Sequence, residues 1–167
     1  YDQKLPKEFI EIANSASKET DEIDQINIVT SMLNDKIQYM MDNRTINGRL
    51  MPRDLSQIIE SQLGDCKDLS ASTIAILTSM GYKAQFALVQ RGEGSITPEL
   101  LPTPGIFNHV IVKVTGKDGT IYWIDPTNIQ SMANGIFTDI ANKPTLVLDS
   151  EHPIYEKTPN VTNAQAI

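Results

Sequence analysis

The spacing of apolar residues changes once along this chain of 167 residues, at Gly81. Before Gly81, apolar residues recur every three or four positions, which is typical of amphipathic helices. After it come short runs rich in β-formers, separated by glycine and proline. The pattern predicts a helical first part and an antiparallel meander in the second. The length fits one domain, which we place at residues 1–150, followed by a polar tail at 151–167.

The periodicity predicts four helices, the last of which ends at Gly81, in the position of a C-cap glycine. Their approximate bounds are 6–16, 21–40, 52–61 and 66–80. Strands are predicted at 83–90, 108–115, 120–125 and 145–148. Asp118-Gly119 readily supplies the positive φ angles of a tight turn and predicts a hairpin between the second and third strands. The stretches 42–51 and 92–105 are predicted loops.

The charge of the chain excludes some partners. Its formal net charge is −7 at pH 7, and its isoelectric point is about 4.7. Nucleic acids and anionic membranes bind surfaces with clustered Lys and Arg, which this acidic chain lacks, so we predict no nucleic-acid partner. No run approaches the roughly 18 apolar residues of a membrane span, so we predict no membrane insertion. Because the chain begins with Tyr1, we expect a piece of a longer protein with a neighbouring domain.

The only cysteine, Cys66, falls in the predicted first turn of the fourth helix. A thiol attacks as the thiolate, which a helix N-terminus or a nearby cation stabilises. Taken alone, a single cysteine is more often a small buried hydrophobic residue than a nucleophile. No internal disulfide can form, so cysteine usage does not indicate the redox compartment.

Two histidines could act as the base for this thiol. His109 begins a predicted strand, whereas His152 lies near the tail, outside any predicted element. Asp125 ends the strand next to that of His109, so a hairpin could bring the two side chains together, unless a bulge or register slip turns one away. His109 is the preferred base and Asp125 its partner, although Asp125 before Pro126 could also simply begin a turn. The widely spaced histidines do not predict a zinc site.

Three motifs in this order resemble the bacterial transglutaminase-like superfamily, and the resemblance covers residues 21–127. The motifs are Gly64-Asp65-Cys66-Lys67-Asp68 before a helix that ends at Met80-Gly81-Tyr82, then Phe107-Asn108-His109-Val110, and then Tyr122-Trp123-Ile124-Asp125-Pro126-Thr127. The resemblance implies a papain-like α+β fold, in which helices pack on an antiparallel sheet and the nucleophilic cysteine begins a helix. It also implies a location in the bacterial cell envelope or periplasm.

The resemblance implies one role for each of three residues. Cys66 matches the nucleophile, His109 the general base and acid, and Asp125 the residue that holds His109 in its productive tautomer. These roles predict an enzyme that cleaves peptide or amide bonds through an acyl-enzyme, with a peptide or protein as substrate. Two alternatives remain open: a protein-glutamine acyltransferase with the same triad, and a non-catalytic binding module.

The surroundings of the triad are less defined by the sequence. The backbone N–H of Cys66 is a natural donor to an oxyanion, because helix N-termini present unpaired N–H groups. A second donor is needed, and Gln57 and Gln62 are candidates only. The chain has no evident loop of clustered acidic residues that would bind calcium, so we predict no cofactor and no metal dependence.

Overall fold

The computed structural model describes residues 3–40, 51–92 and 107–160, which form an α+β arrangement. The helices are α1 (Lys7–Ala16), α2 (Glu22–Lys36), α3 (Leu55–Ser61) and α4 (Cys66–Ser79). The strands are β1 (Gln38–Tyr39), β2 (Leu63–Gly64), β3 (Lys83–Val89), β4 (His109–Thr115), β5 (Ile121–Ile124), β6 (Pro144–Val147) and β7 (Ile154–Lys157). The predicted α+β class is thus confirmed, and the predicted loops at 42–51 and 92–105 lie almost wholly outside the described residues.

Helix α2 begins where the sequence predicts but ends earlier. Asp21 is its N-cap, and its side chain accepts a hydrogen bond from Ile23 N at 2.8 Å. The helix ends at Lys36, and the predicted extension to residue 40 is wrong. Residues 38 and 39 instead form β1, which pairs in parallel with β2. Hydrogen bonds to a distant segment outweigh the helical period here.

A five-stranded sheet follows the helices, in the order β5-β4-β3-β6-β7, and every neighbouring pair is antiparallel. Strands β3, β4 and β5 form the predicted meander. Strand β6 pairs with the other edge of β3, and β7 pairs with β6. Strand β7 lies within the stretch 151–167 that the sequence predicts as a polar tail. Its side chains are largely exposed, which removed the apolar signal of a strand.

The two faces of the sheet pack against different groups of residues. Val112 and Val114 of β4 face the helices and join a core with α1, α2 and α4. Ile111 and Trp123 belong to a second, smaller cluster with residues that follow β5. None of the helices in the described ranges has the length and apolarity needed to span a bilayer.

A buried ion pair fixes the chain at the start of α4. Asp68 is 4% exposed, and its carboxylate accepts hydrogen bonds from Arg53 N and Nε, both at 2.9 Å. Arg53 Nη2 also donates to the carbonyl of Leu63 in β2, at 2.5 Å. Arg53 therefore ties the segment before α3, strand β2 and the first turn of α4 into one unit.

We expect Asp68→Asn to lower the free energy of unfolding by about 1.5–3 kcal/mol, because it weakens charge-assisted hydrogen bonds in a buried position. Urea unfolding followed by circular dichroism measures the change. Asp54→Asn is the matched control: Asp54 is exposed and its side chain does not cap α3, so its effect should stay within about 0.5 kcal/mol. Equal effects of the two substitutions would contradict a special role of the Asp68 carboxylate.

Candidate active site

Cys66 is the first residue of α4, and its neighbours cap that helix. The Asp65 side chain accepts hydrogen bonds from Lys67 N at 2.8 Å and from Asp68 N at 3.0 Å. The Asp68 carboxylate in turn accepts from Asp65 N at 3.4 Å, which completes a capping box. The Cys66 side chain is free and half-buried. The cap fixes the position of the thiol without covering it.

His109 and Asp125 meet in the interior of the protein. His109 Nε2 lies 2.9 Å from Asp125 Oδ2, and the two side chains are 5% and 1% exposed. His109 is the first residue of β4, and Asp125 directly follows β5. The structure therefore brings together the two polar residues that the sequence selected on neighbouring strands.

The Asp125 carboxylate is held from the side opposite His109. Its Oδ1 accepts hydrogen bonds from Thr127 Oγ1 at 2.6 Å and from Thr127 N at 3.1 Å. The backbone N–H of Asp125 donates to Ser131 Oγ at 3.1 Å. With Oδ1 occupied by Thr127, Oδ2 faces the imidazole ring. The turn that follows Asp125 thus sets the orientation of its carboxylate.

The charges around His109 favour its protonated form. Burial, the largest single effect, lowers the pKa of His109, but hydrogen bonds to Asp125 and to Cys66 outweigh it and raise the pKa from 6.5 to about 9. Burial likewise raises the pKa of Asp125, yet the hydrogen bonds from His109 and Thr127 hold it below its usual value. Because Nε2 is bonded to Asp125, Nδ1 is the ring nitrogen left for the thiol.

Arg91 approaches the same carboxylate from the end of β3. Its Nη1 lies 4.0 Å from Asp125 Oδ2, and its Nε donates to Asp139 Oδ2 at 2.6 Å. The backbone of Arg91 exchanges two hydrogen bonds with the side chain of Asn108, the residue before His109. Sequence analysis did not select Arg91, because no local pattern links it to carboxylates that are 34 and 48 residues further along the chain.

Tyr39 is a second residue that sequence analysis missed. In the β1–β2 ladder it lies opposite Gly64, two residues before Cys66. Burial raises the pKa of its phenol, and the negative charges of Cys66 and Asp125 raise it further. The predicted helix through residue 40 concealed this position.

The other residues weighed from the sequence lie in different surroundings. Gln57 and Gln62, considered as second oxyanion donors, are both exposed. His152, the alternative base, is exposed in the turn between β6 and β7. In that turn Asp149 accepts a hydrogen bond from Gln85, so the turn lies towards the Lys83 end of β3, whereas His109 pairs with Val89 at the other end.

A metal centre has no support in the part of the chain that the structure describes. There, no three side chains among His, Cys, Asp and Glu converge as metal ligands. The charged groups around His109 instead pair with one another: Asp125 with His109, and Asp139 with Arg91. The arrangement can move a proton between a thiol and a ring whose orientation is fixed.

The fold is shared with two solved structures. A "putative protease" from Parabacteroides distasonis ATCC 8503 matches with a TM-score of 0.69 at 12% identity, over 96% of this chain and 29% of that one. A TGase matches with a TM-score of 0.55 at 19% identity, over 73% of this chain and 31% of that one. No family model and no curated protein sequence matches the chain.

The extent of these matches limits what they show. The chain spans about a third of the length of each protein, and at such low identity the likeness concerns the fold alone. Within that limit, the two matches agree with the α+β fold that the sequence motifs implied.

Proposed function

We propose that this protein is a thiol enzyme that cleaves peptide or amide bonds through an acyl-enzyme, with Cys66 as nucleophile, His109 as acid and base, and Asp125 as the residue that orients His109. One observation carries the proposal: the buried imidazole of His109 is hydrogen-bonded to Asp125 and lies beside the only thiol of the chain, at the N-terminus of α4, and both neighbours raise the pKa of the ring. A histidine with a purely structural role would not need a thiol at a helix N-terminus as its neighbour.

In the acylation step, the Cys66 thiolate attacks the carbonyl carbon of the substrate and forms a C–S bond, while the carbonyl electron pair moves to the oxygen. The oxyanion then collapses, and the C–N bond breaks. The proton on His109 Nδ1 passes to the leaving nitrogen, which departs as a neutral amine. The products are a thioester on Cys66, a free amine and a neutral imidazole.

In the deacylation step, neutral His109 takes a proton from water as the water oxygen attacks the thioester carbon. The C–S bond breaks, the carboxylic acid leaves, and the thiolate and imidazolium are restored. Throughout both steps Asp125 remains ionised, because hydrogen bonds from His109 and Thr127 lower its pKa. Its role is to hold Nε2–H, which leaves Nδ1 directed at the sulfur.

Tyr39 is our candidate for the second oxyanion donor, beside the backbone N–H of Cys66. The phenol of Tyr39 is a hydrogen-bond donor and is half-buried, and the charge of Cys66 raises its pKa. Its strand is anchored on either side of it, by Gln38 N to the carbonyl of Gln62 and by Met40 N to the carbonyl of Gly64, each at 2.8 Å. A donor on a rigid element next to the nucleophile is what a developing oxyanion requires.

Acyl transfer to an amine is the second candidate function. It uses the same acyl-enzyme, and it differs only in that an amine replaces water in deacylation. The observation that favours it is the likeness in fold to a TGase. Hydrolysis is our first choice because the match with the higher TM-score, which also covers more of this chain, is to a protein described as a "putative protease".

The reactivity of the thiol tests the proposed catalytic pair. At about pH 6.5, iodoacetamide should alkylate Cys66 at least about tenfold faster in the native protein than in His109→Ala, because the imidazolium stabilises the attacking thiolate. Mass spectrometry of the intact chain measures the rate. His152→Ala is the matched control, since it removes the other histidine of the chain, and it should react like the native protein. Equal rates in all three proteins would reject the catalytic pair and favour a binding module.

Casein and a fluorescent primary amine together separate hydrolysis from acyl transfer to an amine. Incubation with casein and a fluorescent primary amine should release new amino termini, with little amine incorporated into casein. Cys66→Ala should do neither, because both outcomes require the thioester. Amine incorporation above the release of amino termini would reject the hydrolase assignment and favour the acyltransferase.

Casein cleavage and alkylation of Cys66 together test the role of Tyr39, because only cleavage forms an oxyanion. Tyr39→Phe should slow casein cleavage by about 10²–10³-fold, the usual effect of removing one oxyanion donor. Alkylation of Cys66 by iodoacetamide forms no oxyanion, so its rate should change less than about twofold. A similar loss in both reactions would mean that Tyr39 supports the structure of the site and is not a donor.

A further inference from the structure

Arg91 is the one cation in the described residues that lies against Asp125 besides His109. Its guanidinium is about one third exposed, and Asp139 anchors it through the hydrogen bond from Nε. The backbone of Asp139 accepts a further bond, from Gly92 N at 3.1 Å, so the same residue holds the side chain of Arg91 and the main chain beside it. This double attachment fixes the distance between Nη1 and the carboxylate.

The two oxygens of Asp125 have different partners. Oδ1 takes both hydrogen bonds from Thr127, while Oδ2 faces His109 Nε2 at 2.9 Å and Arg91 Nη1 at 4.0 Å. Thr127 therefore keeps the carboxylate in place even without Arg91. The guanidinium has a different effect. Its positive charge weakens the attraction between Asp125 Oδ2 and the His109 proton.

We propose that Arg91 is a positioning residue that acts through Asp125, sharing with His109 the carboxylate oxygen that orients the imidazole ring. The proposal rests on the function proposed above, because it matters only if His109 exchanges a proton during turnover. Its consequence is that the imidazolium gives up its proton more readily than it would beside an unshared carboxylate. A general acid works best when its proton is not held too tightly.

Within residues 3–40, 51–92 and 107–160, few other charged groups act on the His109 ring. Cys66 approaches it from α4, Asp125 from the end of β5, and Tyr39 lies nearby on β1. The Asp65–Lys67 ion pair at the N-terminus of α4, 2.7 Å long, is next to Cys66 in the sequence. Arg91 contributes a positive charge near Asp125 Oδ2, the oxygen that also faces His109, and Asp139 partly offsets that charge.

The experiment is an NMR titration of the His109 ring proton from about pH 6 to about pH 11. Removing the cation in Arg91→Gln strengthens the attraction between Asp125 and the His109 proton. We therefore expect the midpoint of about 9 in the native protein to rise by about half a unit to one unit in the variant. A variant that keeps a positive charge but lacks the fork, Arg91→Lys, should shift the midpoint in the same direction and by less.

The matched control is Lys143→Gln, which also removes one positive charge from this region. Lys143 Nζ donates to the carbonyl of Gly92 at 2.6 Å, next to Arg91 in the chain, but it has no contact with Asp125. Its midpoint should stay within about 0.2 units of the native value. The variant His152→Ala assigns the two histidine signals.

Three results would overturn the proposal: an unchanged or lowered midpoint in both Arg91 variants, an equal rise in Lys143→Gln, or a larger rise in Arg91→Lys than in Arg91→Gln. The titration requires no turnover. If Cys66 proved unreactive in the alkylation experiment, the proposed function would fail, while the His109 midpoints would still report whether Arg91 shares the carboxylate.

Discussion

The register between β4 and β5 is the constraint on which the candidate site depends. Val112 lies opposite Ile124, so Asp125 falls opposite Ile111 and diagonal to His109. Diagonal residues of an antiparallel pair share a face and are about 7–8 Å apart, a gap that an imidazole and a carboxylate can close together. A slip of one residue would move Asp125 to the helix-facing side of the sheet, away from His109. The hairpin turn with Gly119 at φ +89°, which joins these strands, is therefore a determinant of the geometry of the candidate site.

The thiol reaches this pair because α4 crosses the beginning of β4. Ser70, one turn into the helix, donates to the carbonyl of Val110 at 3.4 Å, next to His109. The N-terminus of the helix is fixed from the other direction by Asp68 and Arg53, which tie it to β2 and to the segment before α3. The position of Cys66 is thus set by contacts of its neighbours in α4, and none of these contacts involves the sulfur.

Much of this arrangement is predictable from local patterns. Three signals that act over only a few residues predict the main helices and the meander close to their observed bounds. They are the change of period at Gly81, the acidic N-cap Asp21 and the Asp118-Gly119 turn. Strand β1 was missed because its two residues follow a helical period and are held by bonds to a segment about 25 residues away. Arg91 and Tyr39 were missed for the same reason: each meets its partners only after the sheet has formed, and neither carries a local signal. Strand β7 lacked a signal because its side chains face solvent.

In the mechanism that we propose, the contacts of His109 would let one ring act first as an acid and then as a base. Part of the rise in its pKa comes from Cys66, through a hydrogen bond and through charge. Both contributions require the thiolate. In the proposed acyl-enzyme the sulfur is a neutral thioester, so that part is lost and the pKa of the ring falls. The ring then favours the neutral form that can take a proton from water or from an amine. The charge of Asp125 persists through both steps and keeps the pKa of His109 raised. In our proposal, the positive charge of Arg91 weakens this effect and so lets the pKa of His109 fall further. In the proposed mechanism, the loss of the thiolate charge on acylation would thus switch His109 from acid to base.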